Sequence, residues 1–306
     1  MLNLRQPIMD PEPQPSLTVN QCIEQIAQKL AAANLHYGHG AIDARSEALW
    51  ITSKQIQLSP SEALDHLDDS IADELQKKAF SVADERISTR KPLAYILGEA
   101  WLMGVPFFCS EQSIVPRSWI AELIVDGSLE SWLPADGKAL DLCTGNGSLA
   151  ILLALSCPDI RVSACDISMP ALAVAARNID RHGLNSQIEL LDGDLWDALP
   201  EPNEDNLFDL IICNPPYVNT NSMNALPAEY QAEPALALAG GEDGMDLIRK
   251  IIAHAPDYLS ERGAILLEIG NEYEHFKKAF PQIPAIWMEV SAGEEQVLLI
   301  QAEDLR

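Results

Sequence analysis

Asn214-Pro215-Pro216-Tyr217 is the stretch of this chain whose residue types and order speak most directly of chemistry. Asn214 precedes a proline and is pushed toward an extended conformation, while Pro215 and Pro216 have fixed φ and no N–H. The segment is therefore a rigid run of hydrogen-bond acceptors. Such an array suits a planar NH2 group, whose nitrogen lone pair is delocalised and poorly nucleophilic. The Asn214 side-chain oxygen and the Pro215 carbonyl can hold its two N–H bonds and aim the nitrogen at a methyl group, and orientation of this kind is a large catalytic contribution. Attack on a cationic sulfonium needs no strong base, because the nitrogen loses its proton after acquiring charge. The Tyr217 ring can pack on the planar group and face the cationic methyl, or it can simply pack its own loop. A Pro-Pro turn alone does not decide between these.

A second motif lies upstream. Asp141-Leu142-Cys143-Thr144-Gly145-Asn146-Gly147 joins a predicted strand to a predicted helix, with small residues that let the backbone approach a ligand. Counted on to Ala150 it reads G-x-G-x-x-A, with Asp166 about 20 residues later, which also fits a dinucleotide fingerprint. A pyrophosphate wants a free helix N-terminus, whereas the methionine ammonium of S-adenosylmethionine wants an acid such as Asp141. Asp141 tilts the choice toward S-adenosylmethionine. Asp166 is placed to accept from ribose hydroxyls or to cap the helix that follows at Ser168 and Pro170. Asp194-Leu195, after the third strand, can hold an adenine edge or form a solvated turn.

The elements that position these residues follow from periodicity. Apolar residues at helical spacing predict a helix over 17–35 and another around 44–56. Ser59 and Glu62 form a capping box with Pro60 at the first helical position, and Ile71, Leu75, Ala79 and Val82 continue one apolar face. Between 94 and 117 aromatic and β-branched residues broken by Gly98, Gly104 and Pro106 predict a connecting hairpin. Beyond it, strands are expected at 139–143, 161–166, 188–192, 208–213 and 263–269 with helices between most of them, the pattern of a parallel sheet covered on both faces. Strands at 285–290 and 296–301, joined by a short connection, can pair only antiparallel. The domains expected are a frayed proline-rich tail at 1–16, a helical domain at 17–93, the hairpin at 94–117 and an α/β catalytic domain at 118–306.

The chain has 306 residues, 47% of them hydrophobic, and apolar stretches such as 150–155 are far too short to span a bilayer. Six cysteines without a CxxC pair suit a reducing cytoplasm and argue against structural zinc. His36 and His39 lack cysteine or acid partners at metal-ligand spacing, so no metal is expected and the pair is read as shaping a loop. Twenty Lys plus Arg against 46 Asp plus Glu leave a net charge of −26, which repels nucleic acid and attracts basic partners, or serves solubility or a salty habitat.

On these motifs, together with Val115-Pro116-Arg117-Ser118, Glu233-Pro234 and Leu236-Ala237-Leu238, nearly the whole chain resembles the N5-glutamine methyltransferases. The resemblance implies a Rossmann-like seven-stranded methyltransferase sheet ending in an antiparallel strand, a helical N-terminal substrate-recognition domain and a connecting β-hairpin. It implies S-adenosylmethionine as donor and S-adenosylhomocysteine as product. Substrate contacts pass to Asn214, Pro215, Pro216 and Tyr217, with Trp101 and Arg117 beside them. Cofactor contacts pass to Asp141, the loop Cys143, Thr144, Gly145, Asn146, Gly147, then Asp166, Asp194, Leu195 and Asn214. Cys143 replaces the family's usual first glycine, and Arg117 can touch cofactor or substrate or form an ion pair.

The release-factor branch has Pro-Arg-Pro-Glu-Thr where this chain has Pro116-Arg117-Ser118-Trp119-Ile120. Tyr37-Gly38-His39-Gly40 and Ala100-Trp101 look like the branch that methylates a glutamine of the third large-subunit ribosomal protein. A basic ribosomal protein free of the ribosome is the expected partner. The alternatives are a release-factor enzyme, a DNA adenine methyltransferase, which the charge opposes, and a non-catalytic assembly factor.

Overall fold

A computed structural model describes residues 17–306, so the proline-rich start read as a frayed tail lies outside the described residues. The chain divides into two units, one ending at Leu35 and resuming over Ala41–Ser88, the other made of His36–Gly40 and Thr89–Arg306.

The first unit is helical because its ends are capped and its apolar positions recur on one face. Thr18 and Gln21 form a reciprocal capping box at the start of the helix Val19–Ala32, which buries Ile23, Ile26 and Leu30. Asp43 caps the helix Ala44–Gln55, accepting from the Ser46 N–H at 2.7 Å. The Ser59–Glu62 box is present too, yet it opens only the single turn Pro60–Ala63. The next helix is separate, Asp73–Thr89, and buries Ala79, Ala83 and Arg86, while Leu75 and Val82 are only half-buried. The intervening backbone is taken by tertiary pairing: Val19 N–H donates to the Asp69 carbonyl and Ile71 N–H to that of Leu17, both at 2.9 Å.

In the second unit, the beginning of the expected hairpin is a short helix, Leu93–Leu97, ended by Gly98 at φ +67°. The hairpin proper is β1 (Glu99–Leu102) and β2 (Val105–Phe108), closed by Met103 and Gly104, both at positive φ as a tight hairpin turn requires.

The sheet strands are β3 (Lys138–Leu142), β4 (Arg161–Asp166), β5 (Ile188–Asp192), β6 (Phe208–Cys213), β7 (Leu259–Glu268), β8 (Ile286–Val290) and β9 (Gly293–Gln301), in the spatial order β5-β4-β3-β6-β7-β9-β8. The first five pair in parallel, while β9 runs antiparallel to both β7 and β8. The strand expected from 263 begins earlier, at Leu259, which pairs with Phe208 across a register shift.

Alternate residues pack opposite faces. Ala139, Leu210, Ile212 and Leu266 meet the helix Ser148–Ser156 on one side, and Leu140, Ile211 and Ile265 meet the helix Asp246–Tyr258 on the other. The order of connection reverses between β3 and β6, which is where an open α/β sheet leaves a crevice. No helix among the described residues is long and apolar enough to cross a membrane.

In the helical unit the Arg86 Nε–H donates to both Glu47 carboxylate oxygens at 3.1 Å, with both side chains buried. Stripping one partner from a buried pair costs about 3–5 kcal/mol. Arg86→Ala is therefore expected to lower the urea midpoint clearly; a wild-type midpoint would show that the pair is dispensable.

Candidate active site

The cleft opens at the β3/β6 reversal, and the glycine loop forms its floor. After β3 the backbone turns through left-handed conformations at Cys143 (φ +65°), Gly145 (φ +58°) and Gly147 (φ +81°) before the helix Ser148–Ser156 begins. Cys143 keeps the path that a glycine would take freely, at a cost of about 1–2 kcal/mol. Gly147 is required for packing as well, since a Cβ there would lie 3.1 Å from that of Ala175.

Asp141 organises this loop from beneath. Its Oδ2 accepts from Thr144 Oγ1 at 2.6 Å and from the Ala150 N–H at 3.0 Å. Burial pushes its carboxyl up to about 7, outweighing the two donors, with Asp166 adding in the same direction.

Asp166 ends β4 at the mouth of the cleft. It lines the cleft, its Oδ2 accepts from the Gly145 N–H and its Oδ1 from the Ser168 N–H, each at 2.8 Å. Ser168 in turn caps the helix Met169–Arg181. Asp194 and Leu195 also line the cleft, Leu195 at φ +53° after a glycine whose Cβ would strike the Ala198 backbone at 2.7 Å.

From the end of β6, Asn214 and Pro216 reach the same cleft as Cys143, Gly145 and Asp166. Tyr217 does not line it. The tyrosine sits in a seat made by three glycines: a Cβ on Gly240 would come within 2.6 Å of its backbone, one on Gly244 would strike its carbonyl oxygen, and one on Gly270 would come within 2.5 Å of its ring. Its hydroxyl donates to Glu268 Oε1 at 3.2 Å. Just beyond, Val218 N–H donates to the Leu238 carbonyl at 2.8 Å and Gly240 N–H to the Val218 carbonyl at 2.9 Å.

Two observations test whether a methyl donor fits. Gly145 is on the cleft wall, and a Cβ added to it would meet no protein atom within 4 Å, so the loop leaves room for a ligand close to its backbone. Asp141 Oδ1 and Asn146 Nδ2 are buried without a hydrogen-bond partner among the described residues, an acceptor and a donor held in the loop. An amino-acid ammonium and carboxylate are the complementary pair.

Residues 125–230 match the Methyltransferase small domain family and residues 21–98 the PrmC N-terminal domain family. The ribosomal protein uL3 glutamine methyltransferase of Bordetella pertussis is 44% identical over 291 residues, 94% of this chain and 96% of that protein. Those of Burkholderia pseudomallei and Bradyrhizobium diazoefficiens are 41% and 40% identical, covering 97% and 94% of this chain and 98% and 92% of their own. The chain belongs to the ribosomal protein uL3 glutamine methyltransferase family. A solved methyltransferase from Pyrococcus furiosus overlays 66% of this chain and 90% of its own, at 19% identity and a TM-score of 0.45. S-adenosylmethionine is the methyl donor of the family, and the fold is the Rossmann-like methyltransferase fold with a helical N-terminal region.

The rest of this family member's site surrounds the cleft rather than facing it. Arg117 forms the ion pair: its two terminal nitrogens donate to the two Glu233 oxygens at 2.5 and 2.6 Å. Val115 N–H adds a bond to Glu233 at 2.9 Å, and His39 Nε2 stands 3.5 Å away with its ring 4.2 Å from that of Tyr230. Burial alone would raise the Glu233 carboxyl, but His39 and Arg117 outweigh it and hold it at about 2. Glu233 thereby anchors the segment whose Pro234, Leu236 and Ala237 form one wall. Trp101 lies half-buried on β1 opposite Pro106 and is not on the wall, and neither are Pro215, Thr144, Asn146 and Gly147.

Sequence reasoning missed Asn178, Glu268 and Gly270. Asn178, fully buried, donates to the Asn146 carbonyl at 2.9 Å and accepts from the Phe108 N–H at 2.7 Å, tying hairpin to glycine loop. An asparagine among the apolar positions of a predicted helix was the available signal.

Because the folded Asp141 pKa of about 7 lies above its ordinary 3.8, the native state holds this proton more tightly. Its stabilising contribution is complete below about pH 4 and is lost as pH rises toward 7, at up to about 1.4 kcal/mol per unit. Urea midpoints of donor-free protein should fall over that range relative to Asp141→Asn, and parallel curves would refute the assignment. Gly270→Ala must displace the Tyr217 ring, so it is expected to slow methyl transfer about tenfold with donor affinity by calorimetry unchanged. Full turnover would remove the ring's position from the mechanism.

Proposed function

We propose that this protein transfers a methyl group from S-adenosylmethionine to the side-chain amide nitrogen of a glutamine in ribosomal protein uL3, giving N5-methylglutamine and S-adenosylhomocysteine. The observation that carries the reading is that Asn214 and Pro216 share one cleft with Gly145 and Asp166. A rigid acceptor array and a nucleotide-type loop there face a common space.

In this reading the loop from Cys143 to Gly147 receives the amino-acid end of the donor, with Asp141 Oδ1 available to its ammonium. Asp166 accepts from the ribose, and Asp194 and Leu195 hold the adenine by edge and face. When bound, S-adenosylmethionine supplies a methyl carbon activated by a sulfonium. Asn214 Oδ1 and the Pro215 carbonyl accept the two amide N–H bonds and fix the nitrogen's direction; Pro216 closes the turn. The proton is given up after the nitrogen has gained charge, so a buried general base is unnecessary. Orientation of this sort replaces the missing nucleophilicity.

The helical unit serves recognition of uL3. A net charge of −26 favours a basic protein not yet covered by ribosomal RNA, encountered in the cytoplasm. The same charge disfavours DNA as the carrier of the planar amine.

Incubation of the enzyme with free uL3, assembled large subunits and release factors, followed by mass spectrometry of peptides, tests the substrate. One methyl gained on a glutamine of free uL3 is expected; a gain on release factors alone would overturn the reading. Asn214→Ala should keep donor binding by calorimetry and lose turnover by at least about 100-fold.

A further inference from the structure

Glu268 ends β7, is 2% exposed and carries no cation beside its carboxylate in any ion pair of the described residues. Three donors converge on it instead. Ser118 Oγ–H reaches Oε2 at 2.6 Å, the Trp119 N–H reaches the same oxygen at 2.9 Å, and the Tyr217 hydroxyl reaches Oε1 at 3.2 Å. A buried carboxylate is costly unless its lone pairs are filled. Burial raises the Glu268 carboxyl, and the donors from Ser118, Trp119 and Tyr217 act against that.

What this costly group accomplishes is a connection between chain segments. Ser118 and Trp119 follow Arg117, which with Val115 is bonded to Glu233 and so to the wall at Pro234. Tyr217 closes the acceptor motif whose Asn214 and Pro216 line the cleft. One carboxylate therefore fixes the tyrosine against both β7 and the Arg117 segment, and Gly270 two residues on supplies the flat seat under the ring.

We infer that Glu268 is a positioning residue for methyl transfer, acting through Tyr217, with Ser118 orienting its carboxylate. The inference rests on the reading of the cleft as a glutamine methyltransferase site.

The test is a double-mutant cycle on the full chain with uL3 as substrate, comparing Glu268→Gln, Tyr217→Phe and the pair. Glu268→Gln is isosteric and removes the charge. It should lower kcat about tenfold while the donor dissociation constant and the KM for uL3 stay within about twofold. The double variant should be no slower than the slower single one, because both changes act on the same contact, one by removing its charge and the other its donor.

Multiplying losses would overturn the inference, as would a fall in donor affinity or thermal midpoint with kcat unchanged. Should Glu268→Gln not fold, Ser118→Ala removes one donor at less cost and should lower kcat about threefold, again with KM unchanged; an unchanged kcat there overturns the inference. Wild-type turnover of uL3 tests the functional reading by itself, and the ratios among variants test Glu268, so the two fail separately.

Discussion

The structure depends on how the chain leaves β6. Two prolines after Asn214 supply no N–H, so this exit cannot be stabilised by a ladder of its own, and a stretch of carbonyl acceptors remains at the sheet edge. Neighbouring segments hold it. Val218 exchanges backbone bonds with Leu238 and Gly240, three glycines close around Tyr217, and Glu268 takes the tyrosine hydroxyl. The backbone of this exit is thereby fixed by bonds made outside the motif, with Asn214 and Pro216 on the cleft wall.

Buried carboxylates do much of this holding, and their environments push them in opposite directions. Glu233 has Arg117 and His39 against it and lies at about 2. Asp141 has only a hydroxyl and an amide, and burial takes it to about 7. The contrast is the ordinary competition between desolvation and nearby positive charge. It also separates their work: Glu233 pins the cleft wall permanently, while Asp141 braces the glycine loop through one oxygen and keeps the other without a partner among the described residues.

The helical unit, the hairpin and the sheet illustrate how unequally sequence conveys these things. Helical spacing over 17–35 and 44–56, capping at Ser59 and the alternating strands of the sheet were legible because the determining contacts lie within a few residues. Tertiary pairing overrode local pattern elsewhere: Ile71 is drawn into a pairing with Leu17, so one expected apolar face becomes two helices, and Leu93–Leu97 takes a helical turn inside the expected hairpin. The ion pair open to Arg117 forms with Glu233, 116 residues away.

Sequence by itself determined the class of chemistry, because the absence of N–H in Pro215 and Pro216 and the small residues of the glycine loop are properties of residue type. It also determined the sheet, since strand periodicity is local. Tertiary structure alone decided which groups share the cleft and which stand behind it. Tyr217 moved from the expected ligand wall to a seat on Gly270, Trp101 remained on the hairpin, and Asn178 and Glu268 emerged as the groups that hold the loops. These depend on contacts between residues far apart in the chain, which no local pattern specifies.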